Sequence, residues 1–115
     1  MELDALVTVV ETQSYLNAAK SLLSEAERAE VIDLVSSHPI CGDLIAGGGG
    51  IRKVRFATGS KGKSGGARII YLFASPALPL FLLTVFAKNE RANLSRAELS
   101  ALSAIAKSLI ADYGK

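Results

Sequence analysis

The chain has 115 residues, half of them apolar and 21% charged, which suits one globular domain spanning 1–115 and excludes a disordered segment. One Cys and one His rule out an internal disulfide and are too few for a four-ligand zinc site, so a reducing compartment and no metal or other cofactor are expected. The net charge of +2 is small, and the longest apolar stretch, Ala77 to Ala87, is interrupted by Pro79 and too short to span a bilayer; with no signal-peptide pattern at the N-terminus, a soluble cytoplasmic protein with no membrane partner is expected.

Residues 5–12, ALVTVVET, are rich in β-branched side chains and predict a first strand. A short helix over SYLNAAKSLL follows. Ser24 and Glu27 then have the spacing of a capping box and open a second helix, in which Ala26, Ala29, Ile32 and either Val31 or Val35 recur as one apolar stripe. His38-Pro39 ends it. The next stretch, ICGDLIAGGGG, contains four consecutive glycines and reads as an irregular connector. Three strands are predicted after it, at 51–57, 67–74 and 80–88, with connections short enough for antiparallel neighbours. Ser95 and Glu98 form a second capping box, which starts a helix running to about Tyr113. The fold class is therefore α+β: a small twisted antiparallel sheet flanked by N-terminal helices and a C-terminal helix.

The charge is strongly segregated along these elements. Between Leu44 and Asn89 stand Arg52, Lys53, Arg55, Lys61, Lys63, Arg68 and Lys88 and no Asp or Glu, while the flanks hold six basic against eleven acidic residues. A +7 block between flanks that sum to −5 points to a polyanion as partner. The plain alternative is a solvated basic loop. Within the block, ATGSKGKS at 57–64 loosely fits a phosphate-binding loop, but such a loop must run into a helix whose free N–H groups hold the phosphates. Here Gly65-Gly66 leads into the strand-like ARIIYLF, and a nucleotide-hydrolysing enzyme is not expected.

Alternation along the strands turns the charge block into a surface. Val54, Phe56, Ile69, Tyr71, Phe73, Phe81, Leu83 and Val85 are expected to pack against the helices, leaving Lys53, Arg55, Arg68 and Lys88 to project from the opposite face. Ile70 and Leu72 also fall on that face, and the C-terminal helix would cover them. Arg52 falls on the core side and must reach out at the rim. Four cations with no acid in the same segment repel one another, an arrangement that makes sense if a phosphate binds there. Arg52, Lys61 and Lys63 are the expected additional nucleic-acid contacts, since cations in a loop track phosphates without reading sequence.

The stretches IRKVR, GKSGGARIIY and TVFAKNE, in this order and with LLSEAER upstream, resemble the HigB-type branch of the RelE toxin superfamily, from bacterial toxin–antitoxin modules. The resemblance covers the chain from about Val10 to the final helix. It implies a RelE-like fold and a metal-free mRNA endonuclease acting in the ribosomal A site. It also implies two sets of partners, the ribosome with its mRNA and a silencing cognate antitoxin through which oligomers would form. Position by position, the active-site cations implied by the resemblance are Lys53, Arg55, Arg68 and Lys88. Ser64 stands where relatives often carry another basic residue, Phe86 where many have Tyr, and Leu72 where an aromatic is common.

RNA carries its own nucleophile, the 2′-OH, so an enzyme must deprotonate it, stabilise the charge on the phosphorane and protonate the departing 5′-oxygen. Neither His38 nor any acid is well placed in the sequence for these transfers. Lys53 is the expected base or proton handler, Arg55 and Arg68 the phosphate clamps, and Lys88 a second charge stabiliser or acid. Glu90 would orient Lys88, while Tyr71, Cys41 and His38 are expected to be structural. The reading from a different class is a non-catalytic RNA- or DNA-binding module that uses the same face.

Overall fold

The computed structural model describes residues 6–58, 66–91 and 93–114. In chain order these form β1 (Val9–Glu11), α1 (Gln13–Ala19), α2 (Glu25–Ser37), β2 (Asp43–Leu44), β3 (Ile51–Phe56), β4 (Ala67–Leu72), β5 (Leu80–Ala87) and α3 (Arg96–Tyr113). The strands make one sheet in the order β1-β5-β4-β3-β2. The α+β class expected from the sequence is what forms.

The sheet differs from the expected one in that it is mixed. β3, β4 and β5 form an antiparallel meander, but β1 pairs parallel to β5, with Val9 beside Leu80 and Glu11 beside Leu82. Parallel neighbours need a long connection, and here most of the chain intervenes between β1 and β5. β1 is also shorter than the predicted 5–12, because Thr12 already caps α1. Its hydroxyl accepts from Tyr15 N–H (3.2 Å) and donates to Leu82 O (2.7 Å), so one side chain both starts the helix and ties it to β5.

The predicted capping boxes both form. Ser24 accepts from Glu27 N–H at 3.0 Å while the Glu27 carboxylate accepts from Ser24 N–H at 2.9 Å, and Ser95 and Glu98 do the same at 3.1 and 2.8 Å. The stripe on α2 is narrower than expected. Val31 and Val35 are buried with Ile32 half-buried, whereas Ala26 and Ala29 remain exposed, so only the second half of the helix sits on the sheet. Near its start Arg28 makes a bidentate ion pair with Glu11 of β1, 3.1 Å at each contact, which fastens α2 to the edge strand.

Two apolar layers lie on opposite faces of the sheet. On the α1/α2 side, Tyr15, Ala19, Val31 and Val35 pack on Phe56, Ile69, Tyr71, Leu80, Leu82 and Val85. On the α3 side, Ala106, with Leu102, Leu109 and Ile110 around it, covers Ile51, Ile70, Leu72, Phe81, Leu83 and Phe86. All six residues of β4 are buried, as befits a strand covered on both faces. Ile70 and Leu72 are thus covered by the C-terminal helix, as the sequence suggested.

Phe81 and Leu83 lie on the opposite side from the one that alternation assigned. Ile70 pairs with Thr84 but Tyr71 pairs with Leu82, so β5 carries one extra residue at Leu83. A bulge of this kind reverses parity on one side of itself. Val85 therefore keeps its predicted side, while Phe81 and Leu83 turn to α3, where Tyr113 meets Phe81 edge-on at 5.0 Å between ring centres. The bulge gives α3 two buried anchors, each worth about 2 kcal/mol as a fully buried side chain.

Candidate functional site

Register, more than proximity in sequence, assembles the cationic face. Lys53 on β3 lies beside Ile70 on β4, Arg55 lies directly opposite Arg68, and Arg68 lies beside Phe86 on β5. Since cross-strand partners share a face, Lys53, Arg55 and Arg68 all stand on the α3 side. α3 covers the Ile51–Leu72 end of that face and leaves the cationic end open. There a pocket of about 500 Å³, a size that would admit a nucleotide, is lined by Cys41, Asp43, Lys53, Val54, Arg55, Arg68 and Asn93.

Each cation is held differently. Arg68 is buried, 7% exposed, and its Nη1 donates to the carbonyl of Ala67 at 3.3 Å. Arg55 is exposed. The Lys53 ammonium donates to Oδ1 of Asn93, a residue 40 positions away at the approach to α3. This bond uses one of three N–H donors and aims the side chain along the pocket.

Lys88 is not among the pocket-lining residues. It follows β5 at the same end of the sheet, exposed, with its backbone N–H donating to Gly66 O at 3.0 Å. Three of the four expected active-site cations are thus brought together, and the fourth lies beyond the end of its strand. Glu90 lines a different cavity of about 570 Å³, with Lys20, Ser24, Glu27 and Gly66, and forms no ion pair with a described residue.

Arg52 stands on the other face, as alternation requires, and its Nη1 donates to Gly42 O at 2.7 Å. The structure therefore uses it to hold the 38–43 turn. Lys61, Lys63 and Ser64, expected in the connecting loop, lie outside the described residues. Gly66, which closes that loop, has φ +56°, and a Cβ on it would stand 2.4 Å from Phe56 O. It leads into β4 and not into a helix, in line with setting aside the nucleotide-loop reading.

Tyr71 is fully buried, as strand parity predicted, and serves the site indirectly. Its hydroxyl accepts from Gly42 N–H (2.9 Å) and donates to Pro39 O (2.8 Å), with Cys41 Sγ 3.7 Å away. Burial pushes this phenol well above its ordinary pKa, so it stays a neutral donor. The turn it pins delivers Cys41 and Asp43 to the pocket. At Gly42 a Cβ would meet Lys53 O at 2.9 Å and the Tyr71 ring at 3.0 Å, so only glycine fits this approach.

Asp43 and Asn93 are pocket residues that the sequence did not single out, and Cys41, expected to be structural, lines the pocket beside them. Asp43 sits just outside the acid-free segment and reaches the pocket because β2 pairs with β3, placing Asp43 opposite Lys53. A two-residue strand beside a glycine run has no periodicity to reveal it. Asn93 had no signal either, since its role depends on a contact across 40 positions.

On the outer side, Arg91 ties the start of α3 to the same sheet end. Its guanidinium lies 4.5 Å from the centre of the Phe86 ring and pairs with Glu98. Among the described residues, no group of His, Cys, Asp and Glu could hold a metal ion, and no helix is long and apolar enough to cross a membrane. A family model described as the RelE toxin of the RelE/RelB toxin–antitoxin system matches residues 7–114, nearly the whole chain and every element that builds the pocket. With that match, the sheet carrying these cations is that of a toxin whose partner is a RelB-type antitoxin, and the chain belongs to the RelE toxin family.

Proposed function

We infer that this chain is a cytoplasmic, ribosome-dependent mRNA endonuclease of the HigB-type branch, acting as one domain and without a metal. The observation that carries this reading is the convergence of Lys53, Arg55 and Arg68 on one pocket of nucleotide size. Like charges on neighbouring strands destabilise a sheet, and a bound phosphate offsets that repulsion. RNA brings the nucleophile, so the protein's task is positioning, charge stabilisation and proton transfer.

In this mechanism Arg55 and Arg68 clamp the scissile phosphate and take up the charge that grows on its oxygens. Lys53, steered by Asn93, handles a proton at the reacting oxygens. Lys88, at the end of the same sheet, adds charge stabilisation or serves as acid once mRNA fills the cleft. The loop lysines Lys61 and Lys63 supply further backbone contacts, whereas Arg52, on the opposite face and bonded to Gly42 O, holds the turn and does not. Phe86 stands in this branch where many members carry Tyr; it packs under Arg91 and supports the site without a hydroxyl.

Expressing the chain with and without its neighbouring gene, and mapping mRNA 5′ ends, tests the reading. Growth arrest with new 5′ ends inside translated frames, relieved by the neighbour, is the expected result. Normal growth at high soluble expression with intact mRNA overturns it and favours a non-catalytic binding module on the same face.

A further inference from the structure

We propose that Asp43 is a catalytic residue that receives the 2′-OH of the nucleotide whose phosphate lies on Lys53, Arg55 and Arg68. The inference rests on the mRNA-cleaving reading above and gives the acceptor role for the nucleophile's proton to Asp43, leaving Lys53 as the acid. Three observations carry it. Asp43 lines the same pocket as the three cations. As the Cα partner of Lys53 across β2 and β3, it presents its side chain on their face, one strand further out. Its carboxylate makes no ion pair or side-chain hydrogen bond with a described residue, because the ammonium of Lys53 is turned to Asn93.

A carboxylate that the fold does not use, at the edge of a cationic pocket, is a poor neighbour for phosphate and a good one for a hydroxyl. It would orient the nucleotide with phosphate towards the arginines and ribose towards β2. That orientation also separates RNA from DNA, since only ribose offers the hydroxyl. The step balances as follows. The 2′-O–H proton passes to the Asp43 carboxylate as the 2′-oxygen bonds to phosphorus. The P–O5′ bond breaks, and the Lys53 ammonium gives a proton to the departing 5′-oxygen. The products are a 2′,3′-cyclic phosphate and a 5′-hydroxyl, and Asp43 and Lys53 return to their starting states by exchange with water.

Asp43→Asn, Asp43→Ala and Asp43→Glu, compared with the parent on mRNA-programmed ribosomes under single-turnover conditions, decide the matter. Removing a general base costs on the order of a hundredfold, so the Asn and Ala variants should lose about that much in saturated rate. Their affinity should be unchanged or tighter, because an anion has left a cationic pocket. The Glu variant should recover part of the rate, and all should melt with the parent, since Asp43 is exposed and joins the sheet through its backbone pairing with Lys53. If Asp43→Asn cleaves at the parental rate, or if rate and affinity fall in equal proportion, the assignment is wrong. A parent that does not cleave at all overturns the endonuclease reading itself, and this inference with it.

Discussion

Arg55 and Arg68 face each other as direct partners across β3 and β4, two guanidinium groups on one side of a sheet, one exposed and one buried. Like charges directly opposite destabilise a sheet by roughly 0.2–1 kcal/mol. Replacing the exposed member with Gln should therefore raise the melting temperature slightly while slowing cleavage. Calorimetry and a single-turnover assay on the same preparation check both signs, and a variant that is less stable and equally active contradicts the pairing's proposed purpose.

Arg68→Ala should separate chemistry from binding. Its contact with the phosphate strengthens as the phosphorane forms, so cleavage should fall by about a hundredfold or more, far beyond any loss of ribosome affinity. Replacing Lys61 and Lys63 together should do the reverse, weakening association and flattening its salt dependence with a near-normal saturated rate. Equal losses of rate and affinity in both variants would show that the sheet and the loop have not been assigned correctly.

Tyr71→Phe removes one hydroxyl that serves two backbone groups, Gly42 N–H and Pro39 O. Leaving a buried polar group without its partner costs about 1–3 kcal/mol. The variant should be destabilised by that order in urea titration and should release the turn that carries Asp43, lowering the cleavage rate as well. Wild-type stability and rate together would mean that the turn is held by other contacts.

The start of α3 should respond to acid. The Arg91 guanidinium bonded to Glu98, with help from the Ser95 N–H, holds the Glu98 carboxyl down to about 2 from its ordinary 4.5. Because the folded value lies below the unfolded one, this stabilisation is complete above about pH 4.5 and is lost as the pH falls towards 2. Acid titration followed by circular dichroism should show loss of helix in that window. Glu98→Gln should weaken α3 at neutral pH and remove this part of the acid response.

The antitoxin should act on the cationic face. Among the described residues that line the pocket, Asp43 is the single acid against Lys53, Arg55 and Arg68, so an inhibitor is expected to bring further acidic or helix-capping groups to Lys53, Arg55, Arg68 and Lys88, or to displace α3. A structure of the complex in which the interface avoids all four residues and α3 stays in place would contradict this.

What the sequence by itself determined were the properties set over a few residues. Both capping boxes, the breaks at His38 and Gly66, the three long strands and the burial of Tyr71 follow from spacing and alternation, and alternation along β3 and β4 alone puts Lys53, Arg55 and Arg68 on one face. Tertiary structure decided the rest, because it depends on which distant segments meet. The extra residue at Leu83 is set by how β5 seats between two apolar layers, and it turns Phe81 to α3 against the period-2 expectation. β1 becomes parallel because its neighbour, β5, comes almost 70 residues later. Asp43 and Asn93 reach Lys53 through a two-residue pairing and a contact across 40 positions, neither of which leaves a local pattern, so the carboxylate among the pocket's described residues and the amide that aims its lysine could be seen only once the chain was folded.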